Sequence, residues 1–397
     1  MERTTPFHPR TGPLMEQGRA YRRWSGYFVA SAYDPTHDRE YAAIRNAAAL
    51  IDVSPLWKYR IEGKDAERLL DRVVTRDVSK CAVGQVLYTP WCDSQGKVID
   101  DGTISRLGET TFRMTSADPS LRWLEQNALG MDLTIRDVSA SRAALALQGP
   151  RARDVLAAAA EGEVGGLKYF RVTDAIIGDA KVQVSRTGYT GDLGYEIWMD
   201  AADAVRVWDA LARAGDGHGL TPAGIWALDV ARIEAGLVMA DIDYVSAHKA
   251  LIPSQLSSPF ELNLGWAVPE GKKGDFVGRA ALRREREVGP SWQLVGIDVD
   301  WPSFEALYMA VGLPPHLPTV AFRSSVPLYR DDRQIGYCSS GCWSPLLKKY
   351  IALAHVQAPY AAPGTEVLME TTVEHHRKLA LARVAPLPFF DPSRKRS

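Results

Sequence analysis

Residues 187–197 read Thr187-Gly188-Tyr189-Thr190-Gly191-Asp192-Leu193-Gly194-Tyr195-Glu196-Ile197, a glycine-rich segment that leads into a predicted strand at 195–199. Three glycines within seven residues indicate backbone positions that need a positive φ or a close approach to a ligand. A carboxylate at Glu196, held on a rigid strand, can accept two N–H hydrogen bonds from a planar heterocycle such as guanine or pterin. The alternative interpretation is a hairpin with an exposed Glu196.

The segments on either side of this loop predict a mixed arrangement of helices and strands. Apolar residues at helical spacing predict helices at 37–50, 64–74, 120–128, 151–160, 202–214 and 222–235, with another starting near Gly278. Short runs between turn residues predict strands at 57–61, 98–104, 111–115, 133–135, 143–147, 169–174 and 180–186. Residues 1–34 show poor periodicity and are expected to be irregular, and 251–259 is expected to be a loop.

The composition changes near residues 288–291, where a domain boundary is expected. From Trp292 onward the sequence predicts only strands, at 292–299, 326–329, 334–340, 350–356, 366–369 and 379–384. Helices beside a mixed sheet, followed by a strand-only region, indicate an α+β protein of several domains.

Composition and charge exclude several classes of protein. The chain has 397 residues, with 47 Lys and Arg against 48 Asp and Glu, so no strong field favours nucleic acid or an anionic membrane. No apolar run approaches the ~20 residues that span a bilayer, and the first residues lack the apolar region of a secretory signal. Cys81, Cys92, Cys338 and Cys342 are expected to be free thiols, without a metal site, in a cytoplasmic protein.

Two further motifs could carry chemistry. Gly96-Lys97-Val98-Ile99-Asp100-Asp101-Gly102 places two acids on a predicted strand, where they point to opposite faces, so at most one faces a given cavity. The alternative is a strand-end turn with solvated acids. Ser339–Leu353 contains Lys348 and Lys349, which could bind an anionic ligand tail or lie on a solvated turn.

Together and in this order, these motifs resemble the folate-dependent aminomethyltransferase family, which includes the T-protein of the glycine cleavage system. No single motif is specific, but the ordered set extends over nearly the whole chain. The matching residues are Gly26-Tyr27 with Tyr33, Glu40 with Arg45, Asp52-Val53-Ser54, Tyr88, 96–101, Leu147-Gln148-Gly149-Pro150, 188–197, Ala231-Arg232-Ile233-Glu234-Ala235-Gly236 and Ser340–Leu347.

The resemblance implies a three-domain cloverleaf, with two mixed α/β domains and a C-terminal β-barrel domain around a central tetrahydrofolate cavity. The expected bounds are 1–53 with 138–240, 54–137 with 241–288, and 289–397. Asp100 matches the family's catalytic carboxylate, which would stabilise positive charge developing at N5 of tetrahydrofolate by about 3 kcal/mol. Glu196 matches the residue that holds the pterin ring, and Tyr88, Tyr189 and Trp226 are expected beside the cavity.

The sequence departs from the T-protein pattern where a substrate is expected to bind. Leu228 stands at an arginine position, Val238-Met239-Ala240 replaces Leu-Tyr-Gly, and the segment between Asp243 and Trp266 is longer. These changes resemble folate-dependent demethylases, which take a methyl or methylene group from a small methylated compound. Tyr244 or His248 in the longer segment could protonate a leaving group.

The leading hypothesis is therefore a demethylase or methylene transferase that passes a one-carbon unit to tetrahydrofolate, for which a lipoyl carrier protein is not expected as a partner. One alternative is a true aminomethyltransferase of glycine cleavage, which would use an aminomethyl-lipoyl carrier. Another is a non-enzymatic folate-binding protein, although the Lys-Gly-Cys-Tyr-x-Gly-Gln motif of those relatives is absent from the sequence.

Overall fold

The computed structural model describes residues 3–18, 20–162 and 164–397. Its α-helices are α1 (His8–Gly18), α2 (Asp38–Asn46), α3 (Ala66–Val73), α4 (Leu121–Asn127), α5 (Ala152–Ala159), α6 (Ala204–Gly215), α7 (Ile225–Glu234), α8 (Arg279–Val288) and α9 (Trp301–Met309).

The strands belong to four sheets. They are β1 (Arg3–Thr4), β2 (Ala20–Trp24), β3 (Tyr27–Ala32), β4 (Ala48–Asp52), β5 (Trp57–Glu62), β6 (Val86–Cys92), β7 (Val98–Gly108), β8 (Thr111–Ser116), β9 (Thr134–Asp137), β10 (Arg142–Gln148), β11 (Ala160–Glu161), β12 (Val172–Ile177), β13 (Ala180–Ser185), β14 (Gly194–Asp200), β15 (Leu220–Pro222), β16 (Trp292–Val299), β17 (Val326–Arg330), β18 (Arg333–Ser344), β19 (Lys349–Gln357), β20 (Glu366–Val373) and β21 (His376–Ala385).

The first large sheet has the order β11-β12-β13-β14-β10-β4-β15 and is antiparallel except for the β4–β15 pair. Successive residues of β10 alternate between two cores, as the two-residue period of a strand requires. Leu145 packs in the core that includes α5 and α6, and Ala146 packs in the core that includes α2 and α7. The helix predicted at 37–50 was wrong in its last turn, because Ala48–Asp52 is β4, a strand buried on both faces.

The N-terminal segment was predicted to be irregular, and this was wrong. Residues 8–18 form α1, and β2 pairs with β3 across a tight turn at Ser25 and Gly26, both of which have a positive φ. The pattern was hidden because Pro13 lies inside α1 and β2 has no fully buried residue. Met1, Glu2 and Arg19, which the prediction also included, lie outside the described residues.

A second sheet, of order β6-β7-β8-β5-β9, packs against α3 and α4. The C-terminal strands close into a barrel of order β16-β19-β18-β17-β20-β21, which confirms the strand-only prediction except for α9. That helix begins after Asp300, whose carboxylate accepts a hydrogen bond from the Ser303 amide at 3.0 Å, with Pro302 in the first turn. The α+β cloverleaf is thus confirmed, while the exact domain bounds stay a prediction.

Helix α7 lies between the first domain and the barrel, where it contacts α2, β3, β18 and β19. Glu234, at its end, forms a fully buried ion pair with Arg45 of α2, with 2.6 Å between Nη2 and Oε2. Tyr41 of α2 and Ser344 of β18 donate hydrogen bonds to the other oxygen of Glu234. One carboxylate therefore joins the first domain to the barrel.

Among the described residues, no helix is both long and apolar enough to cross a bilayer.

We expect Glu234→Gln to lower the free energy of unfolding by about 3 kcal/mol, because it leaves a buried guanidinium without its main counter-charge. The matched control is Glu287→Gln, which breaks an exposed pair between side chains that are 82% and 66% exposed. The control should change stability by less than about 0.5 kcal/mol. Chemical denaturation followed by tryptophan fluorescence measures both, and equal effects of the two substitutions would contradict the importance of the buried pair.

Candidate functional site

A cavity of about 620 Å³ lies between the first sheet, the second sheet and the barrel. Strands β4, β10 and β14 form its floor, and β6, β7 and β8 form one side. The β2–β3 hairpin, the segment 238–242 and Arg323 complete the wall. Its size is that of pockets that hold cofactors and drug-sized ligands, roughly 300–1,000 Å³.

The predicted pterin-binding residue, Glu196, lies on β14 and lines this cavity. Its Oε2 accepts a hydrogen bond of 2.6 Å from the Thr187 hydroxyl, which in turn lies 2.9 Å from the hydroxyl of Ser185. Burial raises the pKa of Glu196, while the Thr187 hydrogen bond and the charge of Arg113 oppose the rise. The carboxylate is thus oriented by its neighbours and retains capacity to accept further hydrogen bonds.

The glycines of the loop are required for packing and backbone conformation within the protein. A Cβ on Gly188 would lie 2.1 Å from Oε1 of Gln148, and a Cβ on Gly194 would lie 2.2 Å from the same atom. Gly191 has a φ of 71°, which only glycine adopts without strain. Gln148 donates a hydrogen bond to the Tyr195 carbonyl at 3.2 Å. The close approach expected from the sequence is therefore to a side chain of the neighbouring strand.

Only one of the two acids of β7 lines the cavity, as the sequence predicts. Asp101 lines the cavity, where its Oδ2 accepts a hydrogen bond of 2.8 Å from the Tyr88 hydroxyl and its Oδ1 accepts one from Tyr244. Asp100 is fully buried and accepts hydrogen bonds from the backbone amides of Asp101 and Asp118, at 2.8 and 2.9 Å. The carboxylate open to the cavity is therefore Asp101, and Asp100 holds the loop beside it.

Burial raises the pKa of both acids. For Asp100 the charge of Asp101 adds to this rise, and the backbone hydrogen bonds oppose it. For Asp101 the hydrogen bonds from Tyr244 and Tyr88 oppose it. The pair therefore resists carrying two negative charges.

Three predicted tyrosines lie at this site. Tyr88 and Tyr189 line the cavity, and Tyr189 donates a hydrogen bond to the Val238 carbonyl. Tyr244 is 3% exposed, and its hydroxyl contacts both Asp100 and Asp101. Tyr244 thus connects the added segment to the acids of β7.

Like Tyr244, two other predicted residues do not line the cavity. His248 packs edge-on against Trp123 of α4, with 5.3 Å between the ring centroids, while the next residue, Lys249, pairs with Asp118 at 2.5 Å. Trp226 lies on the face of α7 that contacts His37, whereas Ile225 and Leu228 face the cavity. Of the lysines considered for an anionic tail, Lys349 forms an ion pair with Asp298 and Lys348 is exposed.

The sequence motifs do not identify two kinds of site residue. The choice between Asp100 and Asp101 depends on which strand face meets the cavity, and the alternation alone does not reveal this. Arg22, Arg23 and Arg323 also line the cavity, although no motif signalled them. Leu228 stands where the T-protein pattern has arginine, but this wall still carries guanidinium groups from other segments.

A central cavity with carboxylates and aromatic rings, between two α/β domains and a six-stranded barrel, defines a class of three-domain protein. The solved structure of the glycine cleavage system aminomethyltransferase T from Bartonella henselae has the same fold, with a TM-score of 0.82 and 24% identity over 98% of this chain and 99% of that one.

The chain belongs to the aminomethyltransferase family of folate-dependent transferases. Residues 5–272 match the family model for the GCVT N-terminal domain, and residues 310–391 match that for the glycine cleavage T-protein C-terminal barrel domain. This confirms the resemblance found in the sequence, and the aminomethyltransferases of this family use tetrahydrofolate.

Curated relatives differ in the activity that their names give. The trimethylamine-oxide aldolase of Ruegeria pomeroyi is 35% identical over 409 residues, which cover 100% of this chain and 48% of that protein. The chain therefore spans about half the length of that relative. The aminomethyltransferase of Bacillus pumilus is 34% identical over 356 residues, which cover 88% of this chain and 89% of that one.

We expect Asp101→Asn to stabilise the folded protein increasingly as the pH rises. Because the folded-state pKa of Asp101 lies above its ordinary value of 3.8, ionisation costs folding free energy at higher pH. The cost is absent below pH 3.8, grows until the raised pKa is passed and stays constant above it. Urea unfolding of wild type and variant between pH 4.5 and about 8 tests this. A stability difference that does not change with pH would contradict it.

Proposed function

We propose that the chain is a tetrahydrofolate-dependent transferase that moves a methyl or methylene group from a small methylated compound to tetrahydrofolate. The observation that carries the proposal is that Glu196 and Asp101, from two different domains, face the same cavity. Membership of a folate-dependent transferase family supports it.

The residues of the cavity fit tetrahydrofolate. Glu196 offers carboxylate oxygens to the N–H groups of a pterin ring, and Thr187 holds its orientation. Tyr88, Tyr189 and Trp198 supply flat apolar surface beside it. When bound, tetrahydrofolate would supply the nitrogen that accepts the one-carbon unit.

The acids of β7 would stabilise positive charge that develops near that nitrogen. Asp101 is the group that reaches the cavity, so we assign to it the electrostatic role that the sequence assigned to Asp100. Asp100 would act through the loop at Asp118, whose amide it holds at 2.9 Å.

Proton transfer to a leaving group is proposed for Tyr244. Tyr244 does not line the cavity, but its hydroxyl donates to Asp101 and lies 3.4 Å from Asp100, so a proton from Tyr244 would reach the cavity through Asp101. His248, the other candidate, packs against Trp123, and among the described residues it makes no hydrogen bond to either acid.

The part of the cavity wall where a one-carbon donor is expected to bind suits a small apolar or partly apolar compound. Leu228, Val238 and Met239 line this part of the wall. Leu228 replaces a charged residue of the T-protein pattern, while Arg22 and Arg323 bring guanidinium groups to the same wall from other segments.

A second candidate function is aminomethyl transfer in glycine cleavage. It is favoured by the likeness to the Bacillus pumilus aminomethyltransferase over nearly the full length of both chains. Turnover that depends on a lipoylated carrier protein would support this candidate and contradict the small-molecule donor.

Glu196→Ala should weaken tetrahydrofolate binding by at least about tenfold, because charge-assisted hydrogen bonds of this kind are worth about 1.5–3 kcal/mol. Glu109→Ala, at an exposed position of the β7–β8 turn, is the matched control. Isothermal titration measures both affinities. If wild type does not bind tetrahydrofolate, the proposed function is wrong.

Asp101→Asn should reduce turnover by about 100-fold or more while tetrahydrofolate binding is largely retained, since only the developing charge loses its partner. Mass analysis of 5-methyl- and 5,10-methylenetetrahydrofolate, formed from a panel of methylated compounds, measures the product. Asp100→Asn should have the smaller effect of a positioning residue, and His248→Ala should leave turnover unchanged. A larger loss for Asp100→Asn than for Asp101→Asn would return the electrostatic role to Asp100.

A further inference from the structure

Two distant parts of the chain bring arginine side chains to one wall of the cavity. Arg22 belongs to β2 of the N-terminal hairpin, and Arg323 precedes β17 of the barrel. Arg323 is held on Asp229, the residue after Leu228, with 2.8 Å between Nε and Oδ2. A guanidinium thus reaches the region where the T-protein pattern has arginine and this chain has Leu228, but from a different domain.

The arginines near this wall differ in their partners. Asp229 is shared between Arg323 and Arg232, whose Nε lies 3.4 Å from it, and Arg232 also pairs with Asp243. Arg22 forms no salt bridge within the part of the chain that the structure describes. Asp229 and Asp243 are thus engaged by Arg323 and Arg232, and the guanidinium of Arg22 lies beside the cavity outside these ion pairs.

The surroundings of Arg22 favour an incoming anion. Burial lowers the pKa of Arg22, and the charge of Arg323 lowers it further, while Asp229 offsets part of the effect. Burial also lowers the pKa of the nearby His37 below its ordinary value of 6.5, so this ring is neutral at pH 7. The guanidinium of Arg22, which is not used in a salt bridge of the described residues, is therefore available to a carboxylate in the cavity.

We propose that Arg22 and Arg323 form a carboxylate-binding subsite of the cavity. Planar guanidinium groups bind carboxylates through paired, charge-assisted hydrogen bonds, and partial burial strengthens these bonds. The carboxylate belongs either to the one-carbon donor or to the glutamate tail of tetrahydrofolate, so this inference rests on the proposed function. The apolar side chain of Leu228 and the guanidinium of Arg323 would then contact different parts of one ligand.

The experiment compares ligands with and without a carboxylate. Isothermal titration of wild type, Arg22→Gln and Arg323→Gln uses tetrahydrofolate, 6-methyltetrahydropterin, which has the ring without the tail, and N-methylglycine as a simple methylated carboxylate. We expect each variant to bind one carboxylate probe about tenfold more weakly, the equivalent of one charge-assisted contact, with the binding of 6-methyltetrahydropterin unchanged. A loss confined to tetrahydrofolate assigns the subsite to the tail, and a loss confined to N-methylglycine assigns it to the donor.

The controls distinguish the effect of the removed charge from misfolding and from a failure of the proposed function. Arg39→Gln removes an arginine that is 75% exposed and does not line the cavity, so the substitution should leave the affinity for every probe unchanged. Arg22→Lys should recover part of the affinity lost in Arg22→Gln. Variants that match wild type for both carboxylate probes, or a wild type that binds neither, overturn the subsite. Wild-type binding of 6-methyltetrahydropterin tests the proposed function separately, because that ligand carries no carboxylate.

Discussion

The geometry of the cavity depends on the fully buried ion pair between Arg45 and Glu234. Removing two charges from water is costly, and the cost is offset only where their hydrogen-bonding capacity is met. Here Tyr41 and Ser344 complete the shell of Glu234, and the Thr190 carbonyl accepts from Arg45 at 2.8 Å. Because these partners come from α2, the glycine loop, α7 and β18, the pair is satisfied only when the first domain and the barrel are docked in one way.

A second buried group extends this constraint to the acids of β7. Asp243 accepts hydrogen bonds from Ser339 and Ser340 of β18, at 2.6 and 2.7 Å, and pairs with Arg232 of α7. The chain is thereby held just before Tyr244, whose hydroxyl contacts Asp101. Asp101 is a half-buried acid with a raised pKa, which costs stability at neutral pH. Well-satisfied ion pairs nearby allow the protein to keep this unfavourable group in place.

The sequence predicted most of the fold and part of the site, for physical reasons that differ by position. The barrel strands and the strand that carries Glu196 follow from alternation and turn residues, which are local signals. Strand β4 was taken for the end of a helix because a strand buried on both faces has no alternation to detect. The roles of Asp100 and Asp101 and the approach of Arg323 to Asp229 depend on how distant segments pack, and local patterns do not encode this.

The two sides of the cavity differ in how well they tolerate amino-acid substitutions. Gly188 and Gly194 pack so closely on Gln148 that any side chain there would collide with it, so the wall around Glu196 tolerates little variation. The opposite wall is assembled from single side chains on separate segments, such as Leu228 on α7 and Arg323 before the barrel. Substitutions there alter charge and shape without disturbing a tightly packed strand pair. A family whose members include an aminomethyltransferase and a trimethylamine-oxide aldolase is expected to diverge on such a wall, and this chain departs from the T-protein pattern at that place.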